Sequence, residues 1–328
     1  MTTGTEVKEG KKVVEGMNGV NKVDGIYGEN RFNMHDLLDR IGASLGGLVY
    51  RNDLIFGKSL ESVSLNEAAG STVAEAGVLT PGSWQKIAAD GPAGHFEGGC
   101  LAYRWSGYEA PTLIYIHGSG EQPYNFGPFR DNSFRKIFTD HFKPDVNLVL
   151  LAAPFHDRSQ GEYIKALGYL NNYVGILATM AAIVEALAEK MKSERCPSVF
   201  VAGFSLGGWV ANLHRAFYGK NVDRYIPICA GTRPSDVFVS SEYRKLTSEN
   251  ARANPDLLRE KLDFDQAFMA NKTIDCYPLM FRYDRLTELS AQMPAYRGLQ
   301  VEILEKGHFT GQQATEEFRK HIQHVISQ

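Results

Sequence analysis

The chemistry in this chain starts at Gly203-x-Ser205-x-Gly207, set in the run Ser198-Val-Phe-Val-Ala-Gly-Phe-Ser-Leu-Gly-Gly-Trp209. A short apolar stretch rich in β-branched and aromatic residues precedes the serine and reads as a buried strand. Trp209, Leu213 and Phe217 follow at helical spacing. A serine between two glycines at a strand-to-helix reversal is the pattern of a nucleophile elbow. In so tight a turn, Cβ atoms two residues either side of the serine would collide, and glycine occupies both positions. The turn lifts the hydroxyl clear of the sheet. The positive N-terminal end of the following helix then faces any anion that forms there.

The pattern occurs a second time, as Gly42-Ala-Ser44-Leu-Gly46. Here the preceding apolar residues, Met34, Leu37, Leu38 and Ile41, are spaced as a helix face. Without a strand there is no elbow, and Ser44 is expected to be a small residue in a Gly-rich helix.

A serine hydroxyl needs a base within hydrogen-bond reach, and the base needs a third group to orient it. Of nine histidines, His117, His156 and His308 fall just past strand ends. His308, in Lys306-Gly-His-Phe309, is the one of the three downstream of the serine, and it is the expected base. His156, followed by Asp157 and Arg158, suits a surface loop, and His321 and His324 are expected to face solvent from a terminal helix. The expected acid is Asp284, at the end of Leu279-Met-Phe-Arg-Tyr-Asp284, a position that also suits a helix N-cap. Asp236 is its rival. Asp263, Asp265 and Asp275 fall in an insertion or at the wrong end of a strand.

The elements that must position these residues alternate. Residues 1–30 are polar, Gly-rich and aperiodic, and are expected to form a mobile tail. Residues 31–83 form an N-terminal helical extension: a helix over 31–49 that packs on the main domain, then an irregular connection over 58–82. A hairpin pairs 84–89 with 95–105. Strands follow at 112–116, 146–152, 198–204, 224–231, 276–283 and 299–304. Helices lie between them near 130–141, 162–192, 209–217 and 285–293, and a terminal helix covers 310–327. Strands alternating with helices predict an α/β fold, a mostly parallel central sheet with helices on both faces. In such sheets ligands bind beyond the carboxyl ends of the strands, where Ser205, Asp284 and His308 lie.

The order serine, acid, histidine, with Tyr115-Ile-His117-Gly-Ser119-Gly after an earlier strand, resembles the α/β-hydrolase superfamily over about residues 84–328. That resemblance implies an oxyanion hole from the backbone N–H groups of Leu206 and Ser119, each contributing roughly 3–4 kcal/mol, with His117 bonding within its turn. It also places a small helical lid insertion at about 232–273, with Leu257, Leu258, Leu262, Phe264, Phe268 and Met269 roofing an acyl pocket. The implied function is that of a serine hydrolase cleaving a carboxylic ester or thioester through an acyl-enzyme. Ser205 would attack, His308 shuttle the proton and Asp284 orient the imidazole. A peptidase, an acyltransferase and a non-catalytic ligand-binding protein of the same fold are the alternatives.

Composition narrows the partners. The 328 residues are 43% hydrophobic and 22% charged, and the net charge of −3 gives no reason to expect nucleic acid or an anionic membrane. No apolar run nears the roughly 20 residues that span a bilayer, and the first residues lack the apolar core of a signal peptide. Four cysteines without Cys-x-x-Cys spacing are expected to be buried free thiols in a cytoplasmic protein, with neither metal nor cofactor. The substrate is expected to be a small molecule; composition leaves the oligomeric state open.

Overall fold

Strands that are apolar at every position need cover on both faces, and residues 112–116, 147–152 and 199–204 are buried throughout. The computed structural model describes residues 33–49, 53–139, 142–271 and 275–328. The expected tail over residues 1–30 lies outside the described residues. Within them the strands are β1 (Val73–Ala74), β2 (Trp84–Gly91), β3 (Gly94–Arg104), β4 (Thr112–Ile116), β5 (Asn147–Ala152), β6 (Val199–Phe204), β7 (Arg224–Ile228), β8 (Asp275–Cys276), β9 (Leu279–Phe281) and β10 (Glu302–Leu304). They form one sheet in the order β1-β2-β3-β5-β4-β6-β7-β9-β10, with β8 paired to β7. The pairings β1-β2, β2-β3 and β3-β5 are antiparallel; β5 to β10 are joined by parallel pairings. The hairpin closes more tightly than its glycines suggest, with Gly91 opposite Gly94.

The helices are α1 (Met34–Val49), α2 (Leu65–Ser71), α3 (Ser133–Phe138), α4 (Gln160–Ala166), α5 (Leu170–Ser193), α6 (Leu206–Phe217), α7 (Pro234–Val239), α8 (Glu249–Ala253), α9 (Pro255–Leu262), α10 (Asp265–Ala270), α11 (Leu289–Gln292), α12 (His308–Gly311) and α13 (Thr315–Ile326). The period of two along each strand divides the core. Ile114, Ile116, Val199 and Val201 pack with α5 and α6, while Leu113, Tyr115, Phe200 and Phe204 pack with Phe134 and Phe138 of α3 and Phe318 and Ile322 of α13. All four cysteines are buried and free. No described helix is long and apolar enough to cross a membrane.

Of the segments that differ from the sequence expectation, three have a clear local reason. The helix expected over 162–192 is two helices. Phe56 N–H donates to the Leu167 carbonyl, and Lys58 and Ser59 donate to that of Gly168, so these carbonyls serve a neighbouring chain instead of the next helical turn. The connection over 58–82 holds α2, started by Ser64, whose hydroxyl accepts from the Glu67 N–H at 3.1 Å. The helix expected over 285–293 shrinks to α11, because the preceding amides turn back onto a side chain described below.

Phe318 is fully buried, stacked on Phe281 and set against Phe204 beneath the elbow. Phe318→Ala is expected to cost about 3–5 kcal/mol in urea unfolding, as a large side chain removed from a closed core does.

Candidate active site

The chain leaves β6 at Phe204 and enters α6 at Leu206, so Ser205 alone makes the reversal. Its backbone is held at φ 51° and ψ −107°, a left-handed setting that costs a non-glycine residue roughly 1–3 kcal/mol. Two backbone bonds over-determine it: Ser205 N–H to Ile228 O at 2.8 Å, and Gly207 N–H to His117 O at 3.1 Å. A Cβ on Gly203 would overlap the backbone of Gly207, and one on Gly207 would overlap the Ile116 carbonyl. The elbow is therefore wedged between the ends of β4 and β7.

His308 opens α12 just past β10, and its ring is buried. His308 Nδ1 lies 2.8 Å from Asp284 Oδ2. The other oxygen, Oδ1, accepts from the N–H groups of Leu286 and Thr287, both at 2.7 Å, and these are the amides withdrawn from the expected helix. Asp284 is thus a turn-capping carboxylate and the partner of His308 at once. Cys229, itself at φ 57°, donates its thiol to the same Oδ2 at 2.6 Å. Burial works against a charged His308 ring, but the charge and hydrogen bond of Asp284, with a smaller contribution from Asp39, raise its pKa above 6.5. Burial and the Asp284 charge push the Cys229 thiol well above 9.0.

The sheet order, the serine elbow after β6, and a carboxylate after β9 bonded to a histidine after β10 decide the architecture. The topology and the order of these groups are those described for α/β-hydrolases. A scan against protein-family models finds no match, and a search of curated protein sequences finds none. Similar solved structures include the Pyrococcus horikoshii acylaminoacyl peptidase, at 13% identity and TM-score 0.48 over 76% of this chain; the match spans 42% of the peptidase's length. Acetyl xylan esterase 1 from a Thermoanaerobacterium species matches at 14% identity and TM-score 0.47, covering 90% of this chain and 96% of that one. A Pyrobaculum calidifontis esterase matches at 14% identity and TM-score 0.43, covering 90% and 95%.

In this fold a cavity of about 260 Å³ lies at the carboxyl ends of the strands, and Ser205, Leu206, Ser119 and His308 all line it. Asp284 and His308 are bonded, while Ser205 and His308 share the cavity without a hydrogen bond between them. Catalytic hydrogen bonds in unliganded sites are often long and tighten on binding. In the turn after β4, Gly118 N–H donates to Glu121 Oε1 at 2.7 Å and Gly120 N–H to His156 Nε2 at 3.2 Å. The N–H groups of Ser119 and Leu206, the two named in the sequence, are left without a partner among the described residues.

Three expectations need correction. His156 is buried, not a surface-loop residue: it packs edge-on against His117 at 4.4 Å and accepts from Gly120. His117 accepts from Ala153 N–H at 3.0 Å, and its Nδ1 bonds the Gly118 carbonyl at 2.7 Å, so both rings brace the turn in the neutral form. Burial lowers the pKa of His117 to about 4, and burial with the His117 charge lowers that of His156 well below 6.5. His321 is also buried, held by Glu302 Oε2 at 2.7 Å and the Tyr277 carbonyl at 2.9 Å. Asp236 sits on α7 and has no bond to His308. Finally, the apolar residues of α9 and α10 do not roof the cavity. Leu258, Leu262, Phe264 and Phe268 are buried in the core, with Phe268 under the Arg215 guanidinium of α6, and the roof is instead Val237, Phe238 and Tyr243. The α1 residue Ser44 bonds the Arg40 carbonyl and Lys245, and no strand precedes it among the described residues.

Sequence reasoning missed Cys229 and Glu121. Glu121 is buried, its oxygens taken by Gly118 N–H and, at 2.6 Å, Ser133 N–H, and burial pushes its pKa up to about 7. Cys229, Asp284 and His308 form the one cluster of three potential metal ligands among the described residues. Tetrahedral coordination at ordinary bond lengths separates ligand atoms by about 3.4 Å. The separations of 2.6 and 2.8 Å here are those of shared protons.

A raised folded pKa means that the Asp284–His308 pair adds stability that is complete below pH 6.5 and is lost as the pH rises through the folded value. In proton NMR the His308 ring is expected to titrate above 6.5, and Asp284→Asn to bring that midpoint down by about one unit or more. An unchanged midpoint in the variant would detach the two residues electrostatically.

Proposed function

We propose that this chain is a serine hydrolase that cleaves carboxylic esters or thioesters of short to medium acyl chains. The observation that carries the reading is the pairing of His308 Nδ1 with the buried Asp284, which leaves Nε2 as the free ring nitrogen beside a cavity shared with Ser205. Ser205 Oγ adds to the acyl carbon while His308 Nε2 takes its proton, and the same nitrogen returns the proton to the departing alcohol or thiol. Asp284 holds the tautomer that donates from Nδ1 and stabilises the imidazolium that forms. The N–H groups of Leu206 and Ser119 receive the oxyanion, and the partial positive charge at the start of α6 adds to them. Water then repeats the sequence on the acyl-enzyme.

The lining supports the acyl class. Ile55, Leu167, Tyr173, Trp209 and Phe238 form an apolar wall, and Glu121, Asp131, Gln160 and Gln312 a polar one. A cavity of about 260 Å³ has room for a short to medium acyl group and little more. Each methylene it accepts adds up to about 0.8 kcal/mol of binding, and longer chains gain nothing. Four free buried cysteines support a reducing compartment such as the cytoplasm.

Ser205→Ala is expected to abolish p-nitrophenyl ester hydrolysis and fluorophosphonate labelling, and Ser44→Ala to leave both near wild type; labelling lost in the Ser44 variant would overturn the assignment. Along a series of p-nitrophenyl esters, kcat/KM is expected to rise from acetate, peak at butanoate or hexanoate, and fall for palmitate. A steep rise on aggregated long-chain ester would make the segment over the cavity an interfacial lid instead.

A further inference from the structure

We propose that Asp39, on the N-terminal helix α1, is a positioning residue for His308, its carboxylate clamping together the loops that carry His308 and Asp284. The inference rests on the reading of His308 as the base. Asp39 is fully buried although it belongs to a surface helix. Its Oδ2 accepts from the backbone N–H of His308 at 2.7 Å and of Arg285 at 3.1 Å, and its Oδ1 from that of Phe309 at 3.0 Å. Two of these donors belong to the histidine loop, and Arg285 directly follows Asp284. One side chain, about 270 positions upstream in sequence, therefore fixes both partners of the 2.8 Å His308–Asp284 bond.

The surroundings are built for the approach. A Cβ on Gly307 would stand 2.9 Å from both Asp39 Oδ2 and the His35 carbonyl, so the loop reaches α1 only as glycine. His35 adds a side-chain bond from Nδ1 to Thr310 Oγ1 at 2.8 Å, and the Arg285 guanidinium pairs with Asp36. The ionisable groups facing the His308 ring are Asp284 and the neutral Cys229 from the sheet ends, and Asp39 from α1. Burial and the Asp284 charge push the Asp39 carboxyl above 3.8, while the three amide bonds pull it back. Its ionised form favours the imidazolium, as that of Asp284 does.

A purely structural clamp and a positioning clamp differ in what Asp39→Asn does. The amide oxygen can keep the two Oδ2 bonds, but the charge is gone and an NH2 group meets the Phe309 N–H. The expected result is a folded variant whose kcat on a p-nitrophenyl ester falls about tenfold to a hundredfold, as a small displacement of a base does, with KM within about twofold. The midpoint of the His308 ring titration by NMR, and the acid limb of kcat/KM with it, should move to lower pH. Arg40→Ala, on the solvent side of the same helix, should change neither. An Asp39→Asn protein with wild-type kcat and a wild-type His308 titration overturns the proposal. A second arm needs no variant: in the wild-type protein, the amide proton signals of His308 and Phe309 should shift together as Asp39 protonates in acid. Signals that do not follow that titration overturn the proposal even if the variant fails to fold. Equal ester hydrolysis by wild type and Ser205→Ala would instead sink the reading of the site, and both NMR measurements would still judge Asp39.

Discussion

The rest of the structure depends on how closely three backbones approach at the elbow. Gly203 and Gly207 let β6 reverse against the end of β4, and the bonds to Ile228 and His117 lock Ser205 in a left-handed conformation that it would not hold alone. The strain at Ser205 is held because the strands beside it are covered on both faces and cannot yield. From that wedge the neighbouring strand ends inherit their places. The turn after β4 presents Ser119, and the end of β7 carries Cys229 toward the carboxylate after β9. A change that loosened the elbow would move the serine and both amide donors together.

Around this wedge the chain buries carboxylates and satisfies them with backbone N–H groups. Asp284 accepts from Leu286 and Thr287, Glu121 from Gly118 and Ser133, and Asp39 from His308, Phe309 and Arg285. A carboxylate bonded in this way organises a loop that has no regular secondary structure of its own. An amide donor cannot change its protonation, so such a loop is set by geometry and not by a counter-ion that salt could screen. The two histidines that brace the turn after β4 do the complementary task as acceptors. That role requires both to stay neutral, and burial keeps them so.

What was legible in the sequence was what is local or periodic. The elbow is written in five consecutive residues, and the strands could be ordered because buried parallel strands read as unbroken apolar runs. His308 and Asp284 could be chosen because strand ends converge on one edge of such a sheet. Asp39 was not legible, since its partners are backbone amides hundreds of residues away, and an aspartate on an amphipathic helix looks like any solvent-facing charge. His156 was misread for the same reason: Asp157 and Arg158 beside it are exposed, and polarity of neighbours says nothing about a ring that turns inward. The roof of the cavity was misassigned because periodicity tells which residues of α9 and α10 are apolar, not which neighbour they face. Arg215 and α6 claim Phe268 before the cavity can.

The four buried thiols are spread across the sheet. Cys100 lies on β3 near the antiparallel edge, Cys196 just before β6, Cys229 just after β7 and Cys276 on β8. Burial pushes the Cys100 and Cys276 thiols up to about 12, and alkylating reagents attack the thiolate. In the closed molecule the Cys100 and Cys276 sulfurs are out of reach on both counts and the other two by burial, so reaction proceeds only through openings that expose them. The chain thereby carries its own set of reporters: the order in which its cysteines are alkylated ranks how easily the sheet parts, from its antiparallel edge to the strand beside the serine.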